Sequence, residues 1–156
     1  MTDLDAALAA ADAFEAVDTG YAVASATFEA VAVPGAETVT VTVELPTIDA
    51  VVVGETVADV VVDGWYETLV RRLDGVTTVT PASVAAPSIE RLADRVVVEV
   101  AVTPRADHVA ADVLAVVNFV EGTWVGGIIP GYDYVESVQA LRTRAAETGG
   151  TDTGPD

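Results

Sequence analysis

The chain reads as an α+β domain: a mainly antiparallel sheet of about five strands, packed by three to four helices. Three observations lead there. Two runs of alternating valines, Val39 to Leu45 and Val96 to Val102, have the period of half-buried strands. Between them lies a long amphipathic stretch with helical spacing, and two further helical stretches follow the second run. Strands that neighbour one another in sequence favour antiparallel pairing over a doubly wound sheet. The expected order is α-β-β-(β)-α-β-β-α-α, as one domain over residues 1–146 with a disordered acidic tail over 147–156.

Each element has its own justification. Thr2 fits an N-cap, Asp3 and Asp5 suit the positive helix end, and Leu4, Leu8, Ala11 and Phe14 or Glu15 keep helical spacing. Residues 2–17 therefore read as the first helix, closed by Asp18-Thr19-Gly20. Residues 21–33 read as extended, and Val33-Pro34-Gly35-Ala36 as a type II turn, with Pro second and Gly third. The first valine run, alternating with Thr38, Thr40, Thr42 and Glu44, is a strand stopped by Pro46. Residues 48–53 add a short third strand before Gly54. Glu55 to Leu73 is a helix with Val57, Val60, Val61, Trp65, Leu69 and Leu73 on its apolar stripe. Arg71 and Arg72 complement its negative end, and Gly75 follows as a C-cap. Val84 to Leu92 reads either as a hairpin partner of the second valine run, turning at Ala93-Asp94, or as a short helix. Asp107 opens a third helix to about Val120, with Val109, Val113, Val116, Val117 and Val120 inward. Gly122 to Gly131 is a Gly-rich connection, and Asp133 with Glu136 makes a capping box for a last helix. Val135, Val138, Leu141 and Ala145 face inward from it.

Composition bounds the function. There are 25 acidic residues against 7 basic ones, all arginine, for a net charge of -18. The acids are spread along the chain rather than gathered into a block, which fits an extreme halophile's surface better than a nucleic-acid mimic or a calcium sink. Salt near 1 M shrinks the screening length to ~3 Å and relieves the self-repulsion. Acidity does not mean disorder, because 51% of the residues are hydrophobic. The absence of cysteine removes disulfides, thiolate metal sites and cysteine nucleophiles. MTDLDAALAA is acidic where a signal peptide is basic, and no uninterrupted apolar run has the roughly 18 residues of a membrane span. These points lead us to expect a cytoplasmic protein.

No catalytic set emerges. His108, the one histidine, lies at a helix start without a recognisable nucleophile motif, so it reads as a surface residue. Asp59 and Asp63 share a helical face, but no loop gathers the further oxygens calcium needs, so they read as solvated surface. Seven arginines in so acidic a chain make no phosphate-binding surface, and nucleic acid is not expected. No metal or cofactor is expected either.

The most unusual segment is NFVEGTWVGGIIPGYDY, residues 118–134, with four of the 12 glycines. It is no phosphate loop, for Gly126-Gly127 is followed by no Gly-Lys-Ser/Thr. Its plain reading is an irregular turn plugging the core with Trp124, Ile128 and Ile129; its functional reading is a pocket wall. Together with DGWYETLVRRLDG, residues 63–75, it resembles an uncharacterised family of short haloarchaeal proteins classed as a domain of unknown function. That resemblance spans most of the chain and implies no catalytic residue, cofactor or partner. The element order is also similar to the fold of type III secretion chaperones and YbjN proteins, which would imply a dimer with an exposed apolar groove.

Candidate surface residues are Trp65, Tyr66, Glu121, Trp124, Gly126, Gly127, Tyr132 and Tyr134. Aromatics are favoured interface anchors, so the first expectation is a non-enzymatic domain that binds a protein partner or forms a homodimer. The alternative is a small-ligand site or enzyme at residues 122–134, lined by Trp124, Tyr132 and His108 or Arg105.

Overall fold

The computed structural model describes the backbone of residues 3–153 and the side chains of residues 3–144. Its central pair of strands joins the two valine runs. Strand β4 (Val39–Pro46) lies antiparallel to β7 (Arg95–Thr103), with Val39 opposite Val102, Val41 opposite Val100, Val43 opposite Val98 and Leu45 opposite Val96. All eight side chains point to one face and are fully buried. A period of two on both strands, in this register, puts every apolar residue on the same side. The complementary face carries Thr40, Thr42, Glu44, Val97, Glu99 and Ala101, and among the described residues no helix lies on it.

The sheet grows outward from that pair through β3 (Glu29–Pro34), β2 (Gly20–Val23) and β1 (Phe14–Val17), all antiparallel. On the other side, β5 (Ser83–Val84) and β6 (Ser88–Arg91) share one edge of β7. Pro87, which has no N–H for the ladder, lies in the break between them. The α+β class and antiparallel sheet hold, with seven strands in place of about five. The segment left open between strand and helix is a hairpin partner: Ser88–Arg91 pairs with β7, and Leu92 N–H closes the turn on the Arg95 carbonyl at 2.8 Å.

The helices lie against the valine face. Helix α3 (Val109–Gly126) crosses β4 and β7 with Val109, Val113, Val116, Val117, Val120 and Trp124 buried. Helices α1 (Leu4–Ala10) and α2 (Asp59–Leu73) flank it, and α4 (Glu136–Thr153) adds Val138 and Leu141 to the core. The expected inward Ala145 lies outside the described side chains, and the expected tail at 147–156 begins inside α4.

Several boundaries differ from the sequence reading. The first helix stops at Ala10, capped by the Asp3 side chain on Ala6 N–H at 3.0 Å, and Thr2 lies outside the described residues. Phe14 and Glu15 belong instead to a hairpin, because Phe14 opposite Val23 buries the ring where a longer helix would not. Its turn ends at Gly20, where a Cβ would stand 2.5 Å from the Ala32 carbonyl oxygen, so only glycine fits. Gly35 does not take the positive φ of a type II turn; its N–H instead donates to the Thr38 carbonyl at 2.7 Å. Residues Ile48–Val51 form a 3-10 turn, not a strand. Helix α2 starts at Asp59, which leaves Val60 76% exposed and puts Val62 into the seam with Trp65, Leu69 and Leu73. Gly75 sits in a following 3-10 turn, Asp74–Thr78, and is no C-cap.

The largest change is at the end of α3. The helix runs through Gly122 to Gly126, so the first half of the expected Gly-rich loop is helical. That makes α3 an 18-residue helix, the one among the described residues long and apolar enough to span a membrane by length and composition. Its apolar side is occupied by the sheet. The expected capping box is not formed: Gln139 N–H bonds the Val135 carbonyl at 3.1 Å, so the helix begins after Val135, which has no side-chain acceptor, and not after Asp133.

Candidate functional site

A hollow of about 310 Å³ opens between α2, the last turn of α3 and residues 127–130. Its α2 wall is Gly64, Trp65, Thr68, Leu69 and Arg72, a set at helical spacing that forms a single face. Opposite stand Thr123, Gly126 and Gly127, with Ile128, Ile129 and Pro130 closing one end. A second, shallower hollow of about 500 Å³ adjoins it, sharing Arg72, Thr123 and Gly126 and adding Phe119 and Gly122.

Three features of these walls stand out. First, Gly64, Gly122 and Gly126 are helical residues, yet a Cβ on any of them would meet no atom within 4 Å. Glycine inside a helix costs about 0.5–1 kcal/mol relative to alanine, and no neighbour demands the missing side chain. Second, the Trp65 indole is buried and its N–H has no hydrogen-bond partner. Such a group forfeits roughly 1–3 kcal/mol. Third, among the described residues neither hollow has an aspartate or glutamate in its walls, in a chain where 25 of 156 residues are acidic.

The polar groups at the end of α3 are otherwise satisfied. Arg72 Nη1 donates to the Gly126 carbonyl at 3.3 Å, while Gly127 and Ile128 N–H groups bond the Trp124 and Val125 carbonyls. The Thr123 hydroxyl donates to the Phe119 carbonyl at 2.7 Å. What remains without a partner is mainly donor capacity: the buried indole N–H, the rest of the Arg72 guanidinium and the Thr68 hydroxyl.

Of the residues singled out from sequence, Trp65, Gly126 and Gly127 come together here. The others do not line the hollow. Trp124 is fully buried, with Nε1 donating to the Pro46 carbonyl at 2.8 Å and its ring edge-on to Phe28 at 5.0 Å. Glu121 accepts the Phe28 N–H at 2.7 Å and ties α3 to the loop before β3. Tyr66 is half-buried beneath the Arg91 guanidinium, 5.3 Å from its ring centroid. Tyr134 is buried, donates to the Ile129 carbonyl and packs edge-on to half-buried Tyr132. Burial pushes the Tyr134 phenol above its usual range.

Arg105 and His108, expected in the lining, lie elsewhere. Exposed His108 precedes α3. Arg105 pairs with Asp112, a buried acid that the sequence reading missed. Asp63 is taken by Arg91 at 2.9 Å. Also missed were Gly64, Thr68, Leu69 and Arg72. Their signal was in the sequence: a glycine inside an amphipathic helix, and glycines four apart in what reads as a helix once extended. A third concavity of about 270 Å³ lies on the open sheet face between Glu29, Glu44 and Val31; it has no aromatic wall.

A search of curated proteins and a search of solved structures each return no match. Residues 9–144 match the profile of DUF5813, a family of unknown function, and the chain belongs to that family.

Proposed function

We propose that this domain binds a small molecule in the hollow between α2 and the end of α3. The observation that carries the reading is a pair of helical glycines on that hollow's walls, Gly64 and Gly126, with a third, Gly122, on the adjoining hollow, each unneeded by its neighbours. Side chains there would strengthen both helices and fill the space, so the glycines are explained by keeping it open. The hollow's volume suits a ligand at the small end of the usual range. Reading the domain as a protein-association module has less support: Trp65, Trp124 and Tyr134 are committed to the protein's own core, and Tyr66 and Tyr132 are half-buried. No side-chain set for covalent or acid–base catalysis accompanies the hollow, so the reading is of binding, not turnover.

The test is NMR titration of the protein in about 1 M KCl, where screening lengths are ~3 Å, with benzyl alcohol, cyclohexanol and 3-methylbutanoate as probes. Saturable shifts of the Trp65 indole and the Gly64 and Thr123 amides are expected with at least one probe. Gly126→Leu, which puts a side chain where the two hollows meet, should abolish them without lowering the melting temperature. Silence from every probe, or shifts that persist in Gly126→Leu, would sink the reading.

We also infer a cytoplasmic protein adapted to concentrated salt, as in extreme halophiles. Its support is the open sheet face, where Glu15, Glu29, Glu44, Glu90 and Glu99 all point outward. Among these, Glu44 alone has an ion-pair partner, Arg95 at 3.2 Å. Glu29 stands directly across from Glu44 in the ladder, a like-charge pairing that is unfavourable unless screened.

A further inference from the structure

We propose that the hollow selects a small aliphatic carboxylate, held by Arg72 and the Trp65 indole N–H; this deepens the ligand-binding reading and rests on it. The argument begins with charge. At -18 the protein repels anions almost everywhere, and acidic residues are common enough that a wall of eleven residues would ordinarily include one. This wall includes none and carries an arginine with no carboxylate partner among the described residues. Arg71, Arg142 and Arg144 also lack such a partner among the described residues; what singles out Arg72 is its place in the wall of this hollow.

Hydrogen-bonding chemistry points the same way. Arg72 spends one donor on the Gly126 carbonyl through a long 3.3 Å bond, which leaves most of its planar fork to meet a carboxylate bidentately. The Trp65 N–H is a second donor without a partner. Gly127 stands beside it: a Cβ there would lie 3.6 Å from the indole nitrogen, so the glycine keeps the approach clear of a side chain. One guanidinium and neutral donors balance one negative charge, which fits a carboxylate better than a phosphate dianion. Leu69, Ile128, Ile129 and Pro130 supply apolar surface for a short branched body.

The experiment compares 3-methylbutanoate with its neutral amide, of nearly the same shape, by calorimetry and by the Trp65 indole cross-peak. The proteins are wild type, Arg72→Gln and Gly127→Ala. Gly127 has φ -95 and its added methyl would make only ordinary contacts of 3.5–3.6 Å, so that variant should keep its fold. The carboxylate should bind wild type roughly ten-fold or more tighter than the amide, the size of one charged hydrogen bond. Arg72→Gln should erase that preference while leaving the amide's affinity unchanged, and Gly127→Ala should weaken the carboxylate and remove the indole shift. Equal binding of the two probes, or a preference that survives Arg72→Gln, overturns the carboxylate assignment and leaves the ligand-binding reading standing. Silence from both probes while benzyl alcohol or cyclohexanol still binds does the same. Silence from all of them overturns both.

Discussion

Replacing Asp112 with asparagine tests the one buried charge among the described residues. Asp112 sits in the first turn of α3, 1% exposed, and accepts four hydrogen bonds. Thr80 Oγ1 donates at 2.6 Å, Arg105 Nη2 at 2.7 Å, Arg105 Nε at 3.2 Å and the Arg105 backbone N–H at 2.9 Å. Burial by itself would push the carboxyl up, but the Arg105 guanidinium, the Thr80 hydroxyl and the Arg105 N–H outweigh it and hold the group at about 2, against an ordinary 3.8. At about 1.4 kcal/mol per unit, that depression caps the charge's contribution near 2.5 kcal/mol. The Arg105 side chain is 39% exposed, so solvent screening takes a share and roughly 1–2 kcal/mol remains. Because the folded value lies below the unfolded one, this stability is fully present above about pH 4 and is lost as pH falls toward about 2. Urea unfolding of Asp112→Asn in about 1 M KCl should show a loss of roughly 1–2 kcal/mol near neutral pH. The gap to wild type should close between about pH 4 and pH 2. The reasoning fails if the variant unfolds with wild-type stability near neutral pH, or if the gap is as wide at about pH 2 as at neutrality.

Gly20→Ala should destabilise by about 1–3 kcal/mol, since its Cβ would press on the Ala32 carbonyl from 2.5 Å and push β2 off β3; a thermal melt matching wild type would contradict it. Lowering KCl from about 1 M to about 10 mM lengthens the screening distance from ~3 Å to ~30 Å. The urea midpoint should fall with it, whereas a midpoint that does not move would remove the case for salt adaptation.

The class and the buried faces were legible in the residue order. Alternating Val39–Leu45 and Val96–Val102 could be buried on one side only as strands, and the inward positions of α3 are those its spacing required. These are local properties, set by the period of the side chains along the backbone. Partnership and termination were decided by tertiary structure. Nothing in the order of residues says that the two valine runs, some fifty positions apart, are direct neighbours. Residues 14–17 had helical spacing, yet they form a strand because β2 offers them a ladder and a buried site for Phe14. Gly122 to Gly126 reads as loop by composition, yet stays helical because the sheet and α2 pack the rest of the turn. The hollow depends on that same continuation: only when α3 carries its glycines past Trp124 do they face Gly64 and Arg72, which α2 presents from far back in the chain.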